Sequence, residues 1–283
     1  MTELPELAEL PEMSEAPAHF TVTDGGFMPT RFAQSHWGDD HLNGPAIVGL
    51  VARGLEKDCG STEFRPARLT VDLFRAARNV LTTLDIRVVR DGRRVRSAEC
   101  DVVQSGRVTA RATLVQYRPS VAPAGRLWTS DARFPDPPET DGTILPYVGS
   151  DDSGWTRSPA EHQNDSRKRF YNDGIRVVAG EANSPFVRAA TVAEATSLVT
   201  NMGSAGVGYI NGDVTVALCR LPVDEWIGIQ ADSHHAADGI AVGTATLFDR
   251  LGAFGAGATT AIANPAAQID FSTRDFGSGI TYE

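Results

Sequence analysis

The sequence predicts an α+β fold in which a helix and a meander of antiparallel strands occur twice. The segments TVDLFR, from Thr70, and TVALCR, from Thr215, share four of six residues at an offset of 145. Each precedes residues of alternating polarity, interrupted by turn signals at Asp91-Gly92 and Asp238-Gly239, which is typical of strands joined by tight turns. Because the strands follow one another instead of alternating with helices, they favour α+β over a parallel βαβ arrangement.

The two meanders can also be aligned beyond these six-residue segments, with an offset that is one residue larger. Gly106 aligns with Gly252, Ala110 with Ala256 and Thr113 with Thr259, all at an offset of 146. Further turns are expected at Ser105-Gly106 and near Gly252. Matching turns and strands in one order indicate a duplicated unit with a single insertion.

One helix is predicted ahead of each meander. In NGPAIVGLVARGLEKDCG, Asn43 is a favourable N-cap, Pro45 lies in the first turn, and the helix ends at Gly60. In SPFVRAATVAEATSLVTNMGS, the small residues predict a helix from about Val192 to Met202.

The domain organisation follows from these elements. We expect an acidic N-terminal tail at 1–17, a first repeat at 18–119, a Pro/Gly-rich linker at 120–154, a second repeat at 155–270 and a C-terminal tail at 271–283. The linker is expected to wrap the surface.

Composition narrows the classes of partner. The 283 residues carry a net charge of −10, which argues against a nucleic-acid partner. No apolar stretch approaches the length of a membrane span, and the acidic, Pro-punctuated start lacks the features of a secretion signal. The 3 scattered cysteines argue against a disulfide framework or a zinc site. These features favour a cytoplasmic protein without a metal or another cofactor.

Two motifs carry a resemblance to a known family. The segment INGDVTVALCRLPVDEWIGI, at 210–229, contains an Asn-x-Asp strand, then Arg-x-Pro, then Glu-Trp, and NGPAIVGLVARGLE opens a helix on a small-residue turn. Both are similar to the acyl-CoA thioesterase II family and its actinobacterial relatives. The resemblance covers residues from about 27 to 264. It implies a double hotdog fold, with a central helix wrapped by a curved antiparallel sheet in each repeat.

The resemblance also implies a mechanism in which water attacks an acyl-CoA thioester. In the family an Asp on the second-half helix, a Thr or Asn on the next strand and a Gln on the last strand orient that water. The strand position corresponds to Asn211, but the helix Asp corresponds to Ser197 or Leu198. The Gln corresponds to Thr259 or Thr260, so two of the three expected groups are missing.

Other residues are candidates for the missing roles. Glu194 is the one acid on the second-half helix, and it lies one turn before the expected Asp, on the same face. The backbone amides at Asn43 and Gly44 lie at a helix N-terminus, where they could polarise a thioester carbonyl. Arg93 and Arg94, in the hairpin RVVRDGRRVR, could bind phosphate groups of CoA, although a solvated hairpin is equally expected.

Two histidine-containing segments favour ordinary surface roles. In HWGDDHLNGP, a pair between His36 or His41 and Asp39 or Asp40 resembles an acid–base pair, but surface residues ahead of a helix are the simpler interpretation. Asp232, His234 and His235 resemble part of a metal cluster, yet they precede a turn without further ligands. We expect a hydrated loop there.

Three functions are compatible with the sequence. The first is an acyl-CoA thioesterase that releases a free fatty acid, and the second is a degenerate double hotdog protein that binds acyl-CoA or another apolar ligand without hydrolysis. A hydratase fits least, because no Asp lies five residues before His36 or His41. By analogy with paired sheet edges in this fold, we expect a homodimer.

Overall fold

A computed structural model describes residues 17–140 and 145–273 of the chain. Most of the expected acidic tail at 1–17 and of the C-terminal tail at 271–283 lies outside the described residues. Within the described ranges, no helix is long and apolar enough to cross a bilayer.

Three α-helices and sixteen β-strands are described. The helices are α1 (Gly44–Cys59), α2 (Pro185–Ala193) and α3 (Thr196–Asn201). The strands of the N-terminal half are β1 (Ala18–Thr23), β2 (Gly26–Pro29), β3 (Arg65–Leu73), β4 (Thr82–Asp91), β5 (Val95–Gln104) and β6 (Arg107–Tyr117). Those of the C-terminal half are β7 (Tyr147–Ser150), β8 (Lys168–Asn172), β9 (Arg176–Val178), β10 (Met202–Gly203), β11 (Gly206–Val207), β12 (Tyr209–Asn211), β13 (Asp213–Leu218), β14 (Ile227–Ala237), β15 (Ile240–Asp249) and β16 (Gly252–Ala263).

Most strands form one large curved sheet. Along it the order is β7-β8-β14-β15-β16-β13-β3-β6-β5-β4-β2-β1-β9, with β12 also paired to β16. The strands β3 and β13 meet at the centre as antiparallel neighbours, with Thr70 opposite Thr215. The two threonine hydroxyls are 3.0 Å apart and hydrogen-bonded. The two similar six-residue segments of the sequence therefore lie side by side.

The predicted hairpins are present. At Ser105-Gly106, φ is 48° and 72°, and at Asp238-Gly239 it is 51° and 76°. Two consecutive residues with positive φ are the feature of the tight turns that match strand twist, and glycine adopts that conformation without steric penalty. These two turns are confirmed, and antiparallel strands are also joined at the other two predicted turns, at Asp91-Gly92 and near Gly252.

The helix α1 agrees with its prediction from cap to cap. The side chain of Asn43 accepts a hydrogen bond from the amide of Ala46 at 2.8 Å, and the helix ends before Gly60. The buried face of α1, which includes Leu50 and Leu55, packs against β4, β5 and β6. This side of the sheet holds the apolar core.

The second predicted helix is wrong at its start and in its continuity. Helical structure begins at Pro185, seven residues before the predicted position, because Ser184 caps it by accepting a hydrogen bond from the amide of Val187. It is then interrupted at Glu194 and Ala195 before α3 begins. The expected single helix is thus two shorter ones.

The segment expected to be a linker ends within the sheet. Residues 118–140 are irregular and mostly exposed, but β7 pairs with β8. The ring of Phe134 stacks on that of Phe248 at 5.3 Å and lies 5.5 Å from Trp155. The segment is therefore anchored to the second half by aromatic contacts.

We predict that Gly49→Ala destabilises the protein, because α1 and α2 cross at this glycine. A Cβ atom there would lie 2.6 Å from Cγ2 of Val177 and 2.8 Å from Oγ1 of Thr191. Alanine gains about 1 kcal/mol of helix propensity, whereas overpacking costs about 1–3 kcal/mol. Two contacts below 3.0 Å place the overpacking cost in the upper half of that range, so denaturant unfolding should show a net loss of about 1–2 kcal/mol. Gly154→Ala, where a Cβ meets open space, is the control, and an equally stable Gly49→Ala would contradict this packing.

Candidate functional site

A cavity of about 540 Å³ lies between the N-terminus of α1 and the break between α2 and α3. It brings together five of the residues predicted from the sequence. They are Asn43, Gly44, Glu194, Ser197 and Asn211. Apolar side chains line much of the remainder, among them Trp37, Leu42, Ile47, Leu73, Leu198, Val207, Ile210, Ile262 and Ile269.

Glu194 lies at the break between the two helices. Here the amides of Ala195 and Ser197 bond to carbonyls three residues back, at 3.0 and 3.1 Å. The hydroxyl of Thr196 donates to the carbonyl of Ala193 at 2.6 Å, and such back-bonding by threonine bends helices. The regular α-helical hydrogen-bonding pattern therefore stops at the residue that carries the carboxylate.

The Glu194 carboxylate is buried and, among the residues that the structure describes, has one polar side-chain partner. The side-chain amide of Asn211, on β12, donates to Oε1 of Glu194 at 3.2 Å. Burial raises the pKa of Glu194 from its ordinary value of 4.5 to about 7, and the hydrogen bond from Asn211 opposes that rise. Such a carboxyl group can accept or donate a proton near neutral pH.

The N-terminus of α1 lies directly against this carboxylate. A Cβ atom added at Gly44 would overlap the carboxylate of Glu194, so only glycine permits this approach. Helix N-termini carry partial positive charge and unsatisfied amide groups. The cavity therefore combines a carboxylate, a side-chain amide and a helix N-terminus at one end of an apolar space.

The polar residues predicted for the helix and the last strand have different surroundings. Ser197 lines the cavity one turn after Glu194. Thr259 and Thr260 are absent from its lining, and both donate hydrogen bonds to Asp213. The hydroxyl of Thr259 donates to the backbone carbonyl of Asp213 at 2.8 Å, and that of Thr260 donates to the carboxylate of Asp213.

Arg93 and Arg94 lie far from the cavity. They occupy the loop between β4 and β5, where Arg118 donates to the carbonyl of Arg93 at 2.9 Å. This hairpin is near Arg65, at the start of β3, whereas Leu73 at the end of β3 lines the cavity. Eight residues of strand separate the two ends, or roughly 26 Å. These arginines are not part of this site.

Both histidines of the segment HWGDDHLNGP contribute to the cavity lining. His36 and His41 both line it, together with Trp37; His36 is exposed and His41 half-buried, which agrees with their interpretation as surface residues ahead of the helix. Asp39 and Asp40 do not line it, and Asp40 pairs with Arg78 at 3.7 Å. No periodicity in the sequence distinguishes residues 34–42, which reach the cavity through a loop.

The expected loop at Asp232, His234 and His235 is instead part of β14. The carboxylate of Asp232 accepts a hydrogen bond from the hydroxyl of Thr246 at 2.7 Å. Asp232 and His234 line a second, larger cavity of about 680 Å³ that contains none of the predicted catalytic residues. Within the described parts of the chain, no group of three or more His, Cys, Asp or Glu side chains could hold a metal ion.

Comparison with protein families gives two matches that together span most of the chain. Residues 33–117 match a model described as the acyl-CoA thioesterase N-terminal domain. Residues 121–260 match the corresponding acyl-CoA thioesterase C-terminal domain. A search of curated proteins found no significant match.

Solved structures of low sequence identity share the architecture. The tesB protein of Mycobacterium avium subspecies paratuberculosis is 14% identical, with a TM-score of 0.62, over 87% of this chain and 96% of the other. The acyl-CoA thioesterase II TesB2 of Mycobacterium marinum is 16% identical, with a TM-score of 0.56, over 78% and 90%. A hot dog fold protein of unknown function from Alicyclobacillus acidocaldarius is 13% identical, with a TM-score of 0.62, over 87% and 95%. The chain therefore has the hotdog fold.

The raised pKa of Glu194 predicts a pH-dependent stability that Glu194→Gln removes. Because the folded state binds this proton more tightly than the unfolded state, the stabilisation is complete below about pH 4.5 and is lost as pH rises through about 7. Between pH 5 and 8, the wild-type free energy of unfolding should fall by roughly 2–3 kcal/mol more than that of the variant. Denaturant titrations at each pH measure this.

Asp24→Asn, which alters an exposed carboxylate in the β1–β2 turn, is the control and should follow the wild type. Parallel pH dependences of the wild type and Glu194→Gln would show that Glu194 titrates in its ordinary range.

Proposed function

This chain belongs to the acyl-CoA thioesterase family, and we propose that it hydrolyses fatty acyl-CoA to a free fatty acid and CoA by carboxylate-assisted attack of water. The observation that carries the proposal is the buried Glu194 carboxylate, hydrogen-bonded to Asn211 at the edge of an apolar cavity. The family supports thioesterase-type activity in general. The roles of individual residues below are our inference.

The acyl chain is proposed to occupy the apolar part of the cavity. Ile47, Leu198 and Ile210 supply walls that exclude water, and burial of each methylene group contributes about 0.8 kcal/mol. The thioester carbonyl then lies near the N-terminus of α1. Binding of the chain thereby orients the reacting carbon next to Glu194.

Glu194 acts as the general base in this proposal. It accepts a proton from a water molecule whose oxygen forms a bond to the thioester carbon, giving a tetrahedral intermediate. Collapse of the intermediate breaks the carbon–sulfur bond, and the proton held by Glu194 passes to the leaving thiolate. The products are the fatty acid and the CoA thiol, and the carboxylate is regenerated.

Asn211 and Ser197 are proposed to orient Glu194 and the water. The amide of Asn211 fixes one carboxylate oxygen, which leaves the other available to the water. The backbone amide of Gly44 stabilises the negative charge that develops on the carbonyl oxygen, whereas that of Asn43, predicted for the same role, already donates to the carbonyl of Ala33 at 2.7 Å. Thr259 and Thr260 receive no contact with the thioester, since their hydroxyls already donate to Asp213.

We further propose that the two halves are copies of one hotdog unit. The antiparallel register that sets Thr70 opposite Thr215 supports this, because equivalent strands then meet at a local two-fold axis. The helix α1 precedes β3–β6 in the first half, and α2 and α3 precede β13–β16 in the second.

One observation favours the alternative of a binding protein. Ser197 stands where the resemblance expects the catalytic Asp, and a hydroxyl is a poor base without help. If Glu194 does not replace that Asp, the same cavity holds acyl-CoA without hydrolysing it.

Thiol release from acyl-CoAs between acetyl and palmitoyl tests the proposal. We expect saturable release at a preferred chain length and a loss of about 10²–10⁴-fold in kcat in Glu194→Gln, with little change in KM. The isosteric amide keeps the acceptor for Asn211 but cannot take a proton.

Glu56→Gln is the matched control, because Glu56 is also a partly buried glutamate with a raised pKa, yet it lies on α1 outside this cavity. Undiminished release in Glu194→Gln would remove Glu194 as the base. Tight acyl-CoA binding without any release from the wild type would identify a binding protein.

A further inference from the structure

The two similar strand motifs both end in an arginine, and of the two Arg220 is paired with a carboxylate. Arg220, after β13, donates to both carboxylate oxygens of Asp249 at 2.5 and 2.6 Å. The side chain of Asp249 is fully buried, so the charge of Arg220 is neutralised within the protein. Arg75 occupies the same place in the motif after β3.

The first half has no carboxylate at the corresponding position. Asp249 is the last residue of β15, and the last residue of β5 is the uncharged Gln104. The side chain of Gln104 is committed to the backbone of Arg78 and to the hydroxyl of Thr82, all at 2.8 Å. Within residues 17–140 and 145–273, no side chain forms an ion pair or a hydrogen bond with the guanidinium of Arg75.

Arg75 lies at the rim of the cavity that contains Glu194. It lines the cavity together with Ala76, and both residues are exposed to solvent. The amide of Leu73 donates to the carbonyl of Gly212 at 2.8 Å, which places the start of this segment beside Asn211. An unneutralised cation therefore lies where the cavity opens.

We infer that Arg75 binds a phosphate group of the carrier to which the acyl thioester is attached. This inference rests on the proposed function, because it requires the acyl chain to enter the cavity and the carrier to emerge at its rim. In a protein of net charge −10, a phosphate-bearing carrier is repelled overall, so a local cation is needed at the entrance. A guanidinium fork matches two phosphate oxygens.

The exposed position favours a carrier phosphate over a carboxylate on the acyl chain. An acyl carboxylate would be carried inward with the chain, among the apolar side chains, where Arg75 does not lie. Phosphate groups occur on both CoA and the phosphopantetheine arm of acyl carrier proteins. The experiment separates these sources.

Binding of three non-hydrolysable thioethers tests the inference by calorimetry. The ligands are S-decyl-CoA, S-decyl-4′-phosphopantetheine and S-decyl-pantetheine, which share the alkyl chain and differ in phosphate. We expect Arg75→Ala to weaken S-decyl-CoA about tenfold, equivalent to about 1.4 kcal/mol, and to leave S-decyl-pantetheine unchanged. Arg75→Lys, which keeps the charge but not the fork, should lose a few-fold. Arg93→Ala, at the distant hairpin, is the control and should bind all three ligands as the wild type does.

Each outcome has a distinct meaning. An equal loss for both phosphorylated ligands assigns the 4′-phosphate, shared with carrier proteins, and a loss for S-decyl-CoA alone assigns the nucleotide phosphates. No loss, or the same loss for all three ligands, overturns the inference. Thiol release by the wild type is measured separately. Arg75-dependent binding without release contradicts only the hydrolytic function, and release with Arg75-independent binding contradicts only this inference.

Discussion

The buried carboxylate of Glu194, held against the N-terminus of α1, is the constraint on which the rest of the site depends. It requires glycine at position 44, where a side chain would overlap the carboxylate. It requires a break between α2 and α3, and it requires β12 to present Asn211 as a hydrogen-bond donor. Burial of the carboxylate raises its pKa. The helix break, the close contact at Gly44 and the raised pKa thus all involve the side chain of Glu194.

The two halves of the molecule place different charged side chains at corresponding helix positions. Ten residues after its N-cap, the helical segment of the second half carries Glu194, and ten residues after Asn43 the first helix carries Arg53. Arg53 forms an ion pair with Glu181 at 2.6 Å, so that position holds a neutralised cation instead of a buried carboxylate. At the ends of the central strand motifs the neutralised cation is in the second half instead, because Arg220 is paired with Asp249 and Arg75 has no such partner among the described residues.

The sequence predicts those elements that depend on interactions between residues close together in the chain. The cap at Asn43 and the tight turns follow from hydrogen bonding and φ preferences of single residues, and both agree with the structure. The sequence does not predict the helix break at Glu194, because small residues continue a helical pattern across it. The loop at 34–42 and the rim at Arg75 reach the cavity through tertiary packing, which no periodicity reveals. Arg93 and Arg94 suggest a phosphate site by their composition alone, and the fold places them away from the cavity.

The dependence of kcat/KM on pH for hydrolysis of the preferred acyl-CoA tests the central role of Glu194 most directly. If the Glu194 carboxylate is the base, kcat/KM should rise with pH through a midpoint near 7 and then level off, because the deprotonated form is required. The residual activity of Glu194→Gln should lack that midpoint. A profile that is flat between pH 5 and 8, or a midpoint that persists in the variant, would contradict the account.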